Sequence, residues 1–94
     1  MKIPKKFKIF GQTVKVRVGD LGPNYAGMYY PSKSMIVIDR SVTKEEMSRV
    51  IIHEFIHSVI HRCSLDQVIS YPSEEILVDM ITKAIVENFK IDTF

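Results

Sequence analysis

The chain has 94 residues, 46% of them hydrophobic and 26% charged, a composition that fits one compact globular domain over residues 1–94 and leaves little room for a second. A net charge of +2 and a pI near 8.7 are too mild to mark a nucleic-acid or anionic-membrane partner. Cys63 is the only cysteine, so an intrachain disulfide is excluded, and no uninterrupted apolar run reaches the ~18 residues that a membrane span needs.

The start, MKIPKKFKIF, crowds Lys2, Lys5, Lys6 and Lys8 together without an apolar stretch of the kind a secretory signal carries. These lysines read as a solvated face beside an edge strand, and no nucleic acid is expected; a cytoplasmic protein is the expectation. KFKIF (6–10) and TVKVRV (13–18) alternate apolar with basic residues around Gly11-Gln12, which predicts a hairpin with Val14, Val16 and Val18 facing the core. GDLGPNYAG (19–27) holds three of the four glycines and a proline, a loop placed to overhang a site. MYY (28–30), a Pro31–Ser34 turn and MIVID (35–39) predict a second hairpin, the last strand being rich in β-branched residues. Thr43 with Glu46 has the spacing of a capping box, and the apolar periodicity from Met47 predicts one helix over about residues 43–62. CSLDQVISYP (63–72) breaks it. Ser73 as N-cap, Glu74 and Glu75 in the first turn, and an apolar stripe of Leu77, Ile81, Ala84, Ile85 and Phe89 predict a second helix to about residue 90. Strands first and helices second argue an α+β fold, a small, mainly antiparallel sheet of N-terminal hairpins packed against two helices.

The first helix carries IIHEFIHSVI (51–60). Residues four apart on an α-helix share a face about 6 Å apart along the axis, so imidazoles at 53 and 57 can reach a single ion about 2.1 Å from each nitrogen. Glu54 lies about 100° round the helix, off the ligand position but within reach of a water that such an ion activates. With three histidines and six glutamates in the chain, chance places this motif in roughly 0.4% of shuffled sequences. Both histidines also flank the apolar arc that runs from Ile51 to Ile60 instead of sitting within it, so they line a border where a cleft can form. A third ligand has to come from elsewhere, and the second helix offers Glu75 and Asp79, like charges one turn apart that repel unless a cation or partner lies between them.

His53-Glu54-Phe55-Ile56-His57 followed by Glu75-x-x-x-Asp79 resembles the zincin metallopeptidases of the gluzincin type, and the minimal build is similar to the small metallopeptidase-like domains of the ImmA/IrrE and SprT-like groups, compact versions of which occur in phages. The resemblance implies a zinc-dependent metallopeptidase in which His53, His57 and Glu75 bind Zn2+, Glu54 is the catalytic base, and Asp79 orients a ligand histidine from behind. Glu74 ranks second to Glu75 as the third ligand, since only Glu75 has an aspartate four residues on. The metzincin pattern is excluded, because it needs a glycine at Ile60 and a histidine at Cys63. His61 reads as rim or surface, about 80° from His53 on the wheel.

Imidazole and carboxylate ligands suit zinc, and also iron, cobalt or nickel. Tyr71, Tyr29, Tyr30 and His61 are the candidates for an oxyanion donor. A chain this short leaves no second wall for a cleft, so a protein or peptide substrate of narrow range would lie in a shallow groove, paired with an edge strand at 35–39 or 28–30. Two other classes stay open: a non-catalytic binding or adaptor module with a structural zinc, and a nucleic-acid adaptor using the basic start and the aromatics of the first strands.

Overall fold

The computed structural model describes residues 4–89, so Lys2 and the expected end of the second helix at residue 90 lie outside the described residues. Strands β1 (Lys6–Ile9) and β2 (Gln12–Gly19) form the first hairpin, closed by the pair Ile9 and Gln12. Its two-residue turn takes positive φ at both Phe10 (51°) and Gly11 (81°), the left-handed pair that matches the twist of the flanking strands. β3 (Gly27–Tyr30) and β4 (Met35–Asp39) form the second hairpin around a 3-10 turn at Pro31–Lys33. The strand order is β1-β2-β4-β3, with β2 and β4 parallel and the two outer pairings antiparallel. The sheet is therefore mixed: the second hairpin inserts β4 beside β2 and leaves β3 as an open edge.

α1 (Lys44–Arg62) lies on one face of this sheet. Met47, Val50 and Ile51 pack against Ile9, Val14, Val16, Ile36 and Ile38, and the rings of Phe7 and Phe55 meet edge-on at 4.8 Å. Val14 and Val16 are core residues as the alternation predicts, whereas Val18 is exposed. β1 begins opposite Lys15, so the far end of β2 has no neighbour on that side, and the residue sharing its row on β3 is Gly27, which has no side chain to cover it. The Thr43 hydroxyl makes no capping bond; the Glu46 carboxylate that a capping box would use is held by Arg49 at 3.1 Å.

α2 (Tyr71–Asn88) packs chiefly against α1. Its N-cap is Ser70, whose Oγ accepts from the Ser73 amide at 3.4 Å, so the helix begins three residues earlier than expected and carries Pro72 in its first turn, where a missing N–H costs nothing. The expected stripe of Leu77, Ile81, Ala84, Ile85 and Phe89 is not the buried face: Val78 and Thr82 are buried, Ile85 is half-buried, and the other four are exposed. No helix among the described residues is long and apolar enough to cross a membrane.

Candidate metal centre

α1 sets His53 and His57 one turn apart, with ring centroids 4.8 Å apart and Nε2 atoms 3.2 Å apart. α2 brings Glu75 Oε1 to 2.8 Å from His57 Nε2, and one ligand atom from each of His53, His57 and Glu75 falls within 4.8 Å of the others. The chain thus gathers three donors that lie 4 and 18 residues apart in sequence into one small volume. Behind them stand two further carboxylates: Asp79 Oδ1 lies 3.3 Å from His53 Nδ1, and Glu74 Oε2 lies 2.6 Å from His57 Nδ1.

This arrangement has a direct chemical consequence. An imidazole whose Nδ1–H donates to a carboxylate is held in the tautomer with its lone pair on Nε2, and its ring orientation is fixed at the same time. Glu74 is placed to hold His57 this way and Asp79 faces the same atom of His53, while the two Nε2 atoms face each other and Glu75 Oε1 reaches that of His57. Burial, reinforced by the neighbouring His57, pushes the His53 pKa down, which keeps its ring neutral and its lone pair available. Two imidazole nitrogens and one carboxylate oxygen are a donor set that zinc accepts, so the residues fit the ion.

Glu74, ranked second as a ligand from the sequence, is placed behind His57 and does not compete with Glu75. The signal for that role is on the helical wheel: Glu74 and Glu75 lie about 100° apart, on either side of the buried Val78. Both can therefore face α1, one toward each side of His57.

Glu54 is 7% exposed, with Oε2 4.0 Å from His53 Nε2. Gly27 of β3 lies against it so closely that an added Cβ would sit 3.0 Å from Glu54 Cγ. Desolvation pushes the Glu54 carboxyl up to about 7, against the pull of His57 and with a further push from Glu75. A carboxyl poised there can both accept and release a proton near neutral pH.

A cleft of about 580 Å³ opens over these groups. His53, Glu54 and His57 line it from α1, Tyr71, Glu74 and Glu75 from α2, and Gly27 to Tyr29 with Asn24 to Ala26 from β3 and the preceding loop, which overhangs the site as its composition predicts. Asp39 anchors that loop, accepting from the amides of Leu21 at 2.7 Å and Ser41 at 3.0 Å; these bonds, with that from the Ser41 hydroxyl, hold its carboxyl below the usual range. Of the four oxyanion candidates, Tyr29, His61 and Tyr71 line the cleft, while Tyr30 shares a row with Met35 and Lys15 on the opposite face of the sheet. Tyr29 Oη and His61 Nδ1 are 3.4 Å apart, and burial pushes the Tyr29 hydroxyl up. The Tyr71 hydroxyl is pushed up mainly by the Glu75 carboxylate. β4 is an interior strand, so of the two expected substrate edges only β3 is free. No family model, curated protein or solved structure matches this chain, and the functional reading rests on the geometry of these residues.

Proposed function

We propose that the chain is a minimal zincin-like metallopeptidase that hydrolyses a peptide bond in a protein or peptide substrate of narrow range. The observation that carries this reading is the convergence of one ligand atom each from His53, His57 and Glu75 within 4.8 Å, with the buried Glu54 carboxylate 4.0 Å from His53 Nε2. His53, His57 and Glu75 hold Zn2+, and Asp79 and Glu74 orient the two histidines through Nδ1. When bound, zinc lowers the pKa of water and polarises a substrate carbonyl. Glu54 takes the proton of the attacking water and returns it to the departing amine, a two-way transfer that suits a carboxyl near pH 7.

Substrate enters as an extended segment along the free edge of β3, whose Gly27 and Tyr29 face the cleft. Tyr71, Tyr29 and His61, which line the cleft, are the candidate donors to the developing oxyanion. A reducing, cytoplasmic location belongs to the same reading; its support is a lone, exposed Cys63.

The test has two stages. Elemental analysis of tag-free protein supplied with zinc should give about one zinc per chain in the wild type and a marked loss in His57→Ala and Glu75→Ala. Incubation with a proteome-derived peptide library, read by mass spectrometry, should then give cleavage by wild type that Glu54→Gln abolishes while retaining its zinc. Absence of bound metal overturns the metal centre. Zinc retained with no cleavage anywhere in the library leaves a binding module with a structural zinc.

A further inference from the structure

The face of the sheet turned away from α1 has a charge pattern that the metal centre does not use. Residues 1–38 contain seven Lys and Arg against one acidic residue, and residues 39–94 contain six against ten. The excess is focused by the strand register. Lys6, Lys8, Lys15 and Arg17 alternate with the inward Phe7, Ile9, Val14 and Val16, so all four project from the open face, and all are exposed. Lys6 lies directly opposite Lys15, Arg17 is diagonal to Lys6, and Lys8 is diagonal to Lys15. None of these side chains forms an ion pair among the described residues. Like charges directly opposite one another on adjacent strands destabilise a sheet, and no carboxylate among the described residues pairs with these cations.

The same rows continue as an apolar surface: Lys15 aligns with Met35 and Tyr30, and Arg17 with Val37 and Met28. Lys33 adds a fifth cation, its Nζ 5.7 Å from the centroid of the Tyr30 ring. The acid in register with this face, Asp39, has its carboxylate turned to Leu21 and Ser41. One half of this open face is therefore cationic and the adjoining half apolar and aromatic, with the two separated by only the spacing between strands, about 5 Å.

We propose that this open face binds single-stranded nucleic acid. The phosphate backbone runs along β1 and β2, where cations recur about every 7 Å along each strand, and the bases lie over β4 and β3, where Tyr30 supplies a ring for stacking. An acidic polypeptide would satisfy the cations but has no bases to stack on that ring, a lipid surface would take cations and apolar groups as one insertion patch and has no use for parallel rows of charge and ring, and a duplex would hide its bases.

The test is fluorescence anisotropy with a labelled oligothymidylate of about a dozen nucleotides, the matching duplex, polyglutamate as competitor, and vesicles containing phosphatidylserine. Four phosphate contacts predict a log–log salt slope of about −3, a loss of about 50-fold in affinity between about 50 and 200 mM salt. The double variant Lys15→Glu/Arg17→Glu should abolish binding, and Tyr30→Ala should weaken it at least 5-fold, with the helical circular dichroism and zinc content of both variants unchanged. Any of four results overturns the proposal: no binding at about 50 mM salt, affinity unmoved by the charge reversal, equal competition by polyglutamate, or preference for the duplex or the vesicles.

Discussion

Glu54→Gln should change how the metal-free protein responds to pH, and the size of the change follows from where Glu54 sits. With 7% exposure and β3 laid across it at Gly27, its carboxyl is pushed from 4.5 up to about 7. Raising a carboxyl from 4.5 to about 7 corresponds to about 3 kcal/mol. Because the folded pKa is the higher one, folding takes up a proton: the contribution is fully present below 4.5 and is lost as the pH rises through about 7. His53 acts in the opposite sense, since its pKa is depressed and its cost appears as the pH falls below 6.5. The two slopes partly cancel in the wild type, so the informative quantity is the difference between variant and wild type. Glutamine keeps the shape and cannot ionise, so relative to wild type Glu54→Gln should gain about 3 kcal/mol between pH 4 and pH 8. In urea titrations with a chelator present, this is a relative midpoint shift of about 2 M for a slope of about 1.5 kcal/mol/M. For a domain of this size, whose total stability is about 5–14 kcal/mol, the effect is large. A difference that stays constant across that pH range would refute the burial argument for Glu54.

Three further outcomes follow from named contacts. Glu74→Gln and Asp79→Asn, which spare the proposed ligands, should each weaken zinc affinity about 10–100-fold in competition with a chromophoric chelator, because each frees one imidazole at Nδ1. Gly27→Ala would place a methyl 2.8 Å from Val50 Cγ1 and 3.0 Å from Glu54 Cγ, and thermal denaturation should show a loss of about 1–3 kcal/mol. Thr82 is buried and its Oγ1 has no hydrogen-bond partner, so Thr82→Val should raise the urea midpoint, by an equivalent of about 1 kcal/mol.

Much of this architecture is legible in the sequence because local chemistry and the tertiary context agree. The alternation in 6–18 and the glycine at 11 specify a hairpin, and the 3.6-residue periodicity from Met47 specifies α1 to within a residue at its start. The one-turn spacing of His53 and His57 is a property of one helix, so it needs no knowledge of packing. Glu75 and Asp79 are readable for the same reason. The features that escape depend on how separate elements meet. The parallel pairing of β2 with β4 arises from where the second hairpin inserts, which no local pattern encodes. Thr43 and Glu46 have the spacing of a capping box, but Arg49 one turn on takes the carboxylate. Tyr29 and Tyr30 are adjacent in sequence and indistinguishable by composition, yet strand alternation sends one to the cleft and the other to the opposite face.

The rotation of α2 about its own axis is the clearest case in which the site overrides the apolar pattern. Placed at 100° per residue, the arc of Leu77, Ile81 and Ala84 centres about 110° from the arc that faces α1. The inward arc holds Val78 and Thr82, flanked by Glu74 and Glu75, while Ile76 and Met80 remain 66% and 62% exposed. Hydrophobic burial alone would turn Leu77 and Ile81 inward, gaining up to about 1 kcal/mol for each half-exposed side chain and removing the unpartnered Thr82 hydroxyl from the interface. That turn would also swing Glu75 away from His57 Nε2 and Asp79 away from His53 Nδ1, breaking contacts of 2.8 and 3.3 Å. The observed orientation keeps three carboxylates on two imidazoles at the expense of apolar contact. The contacts of Glu74, Glu75 and Asp79 with His53 and His57 are therefore what selects this rotation.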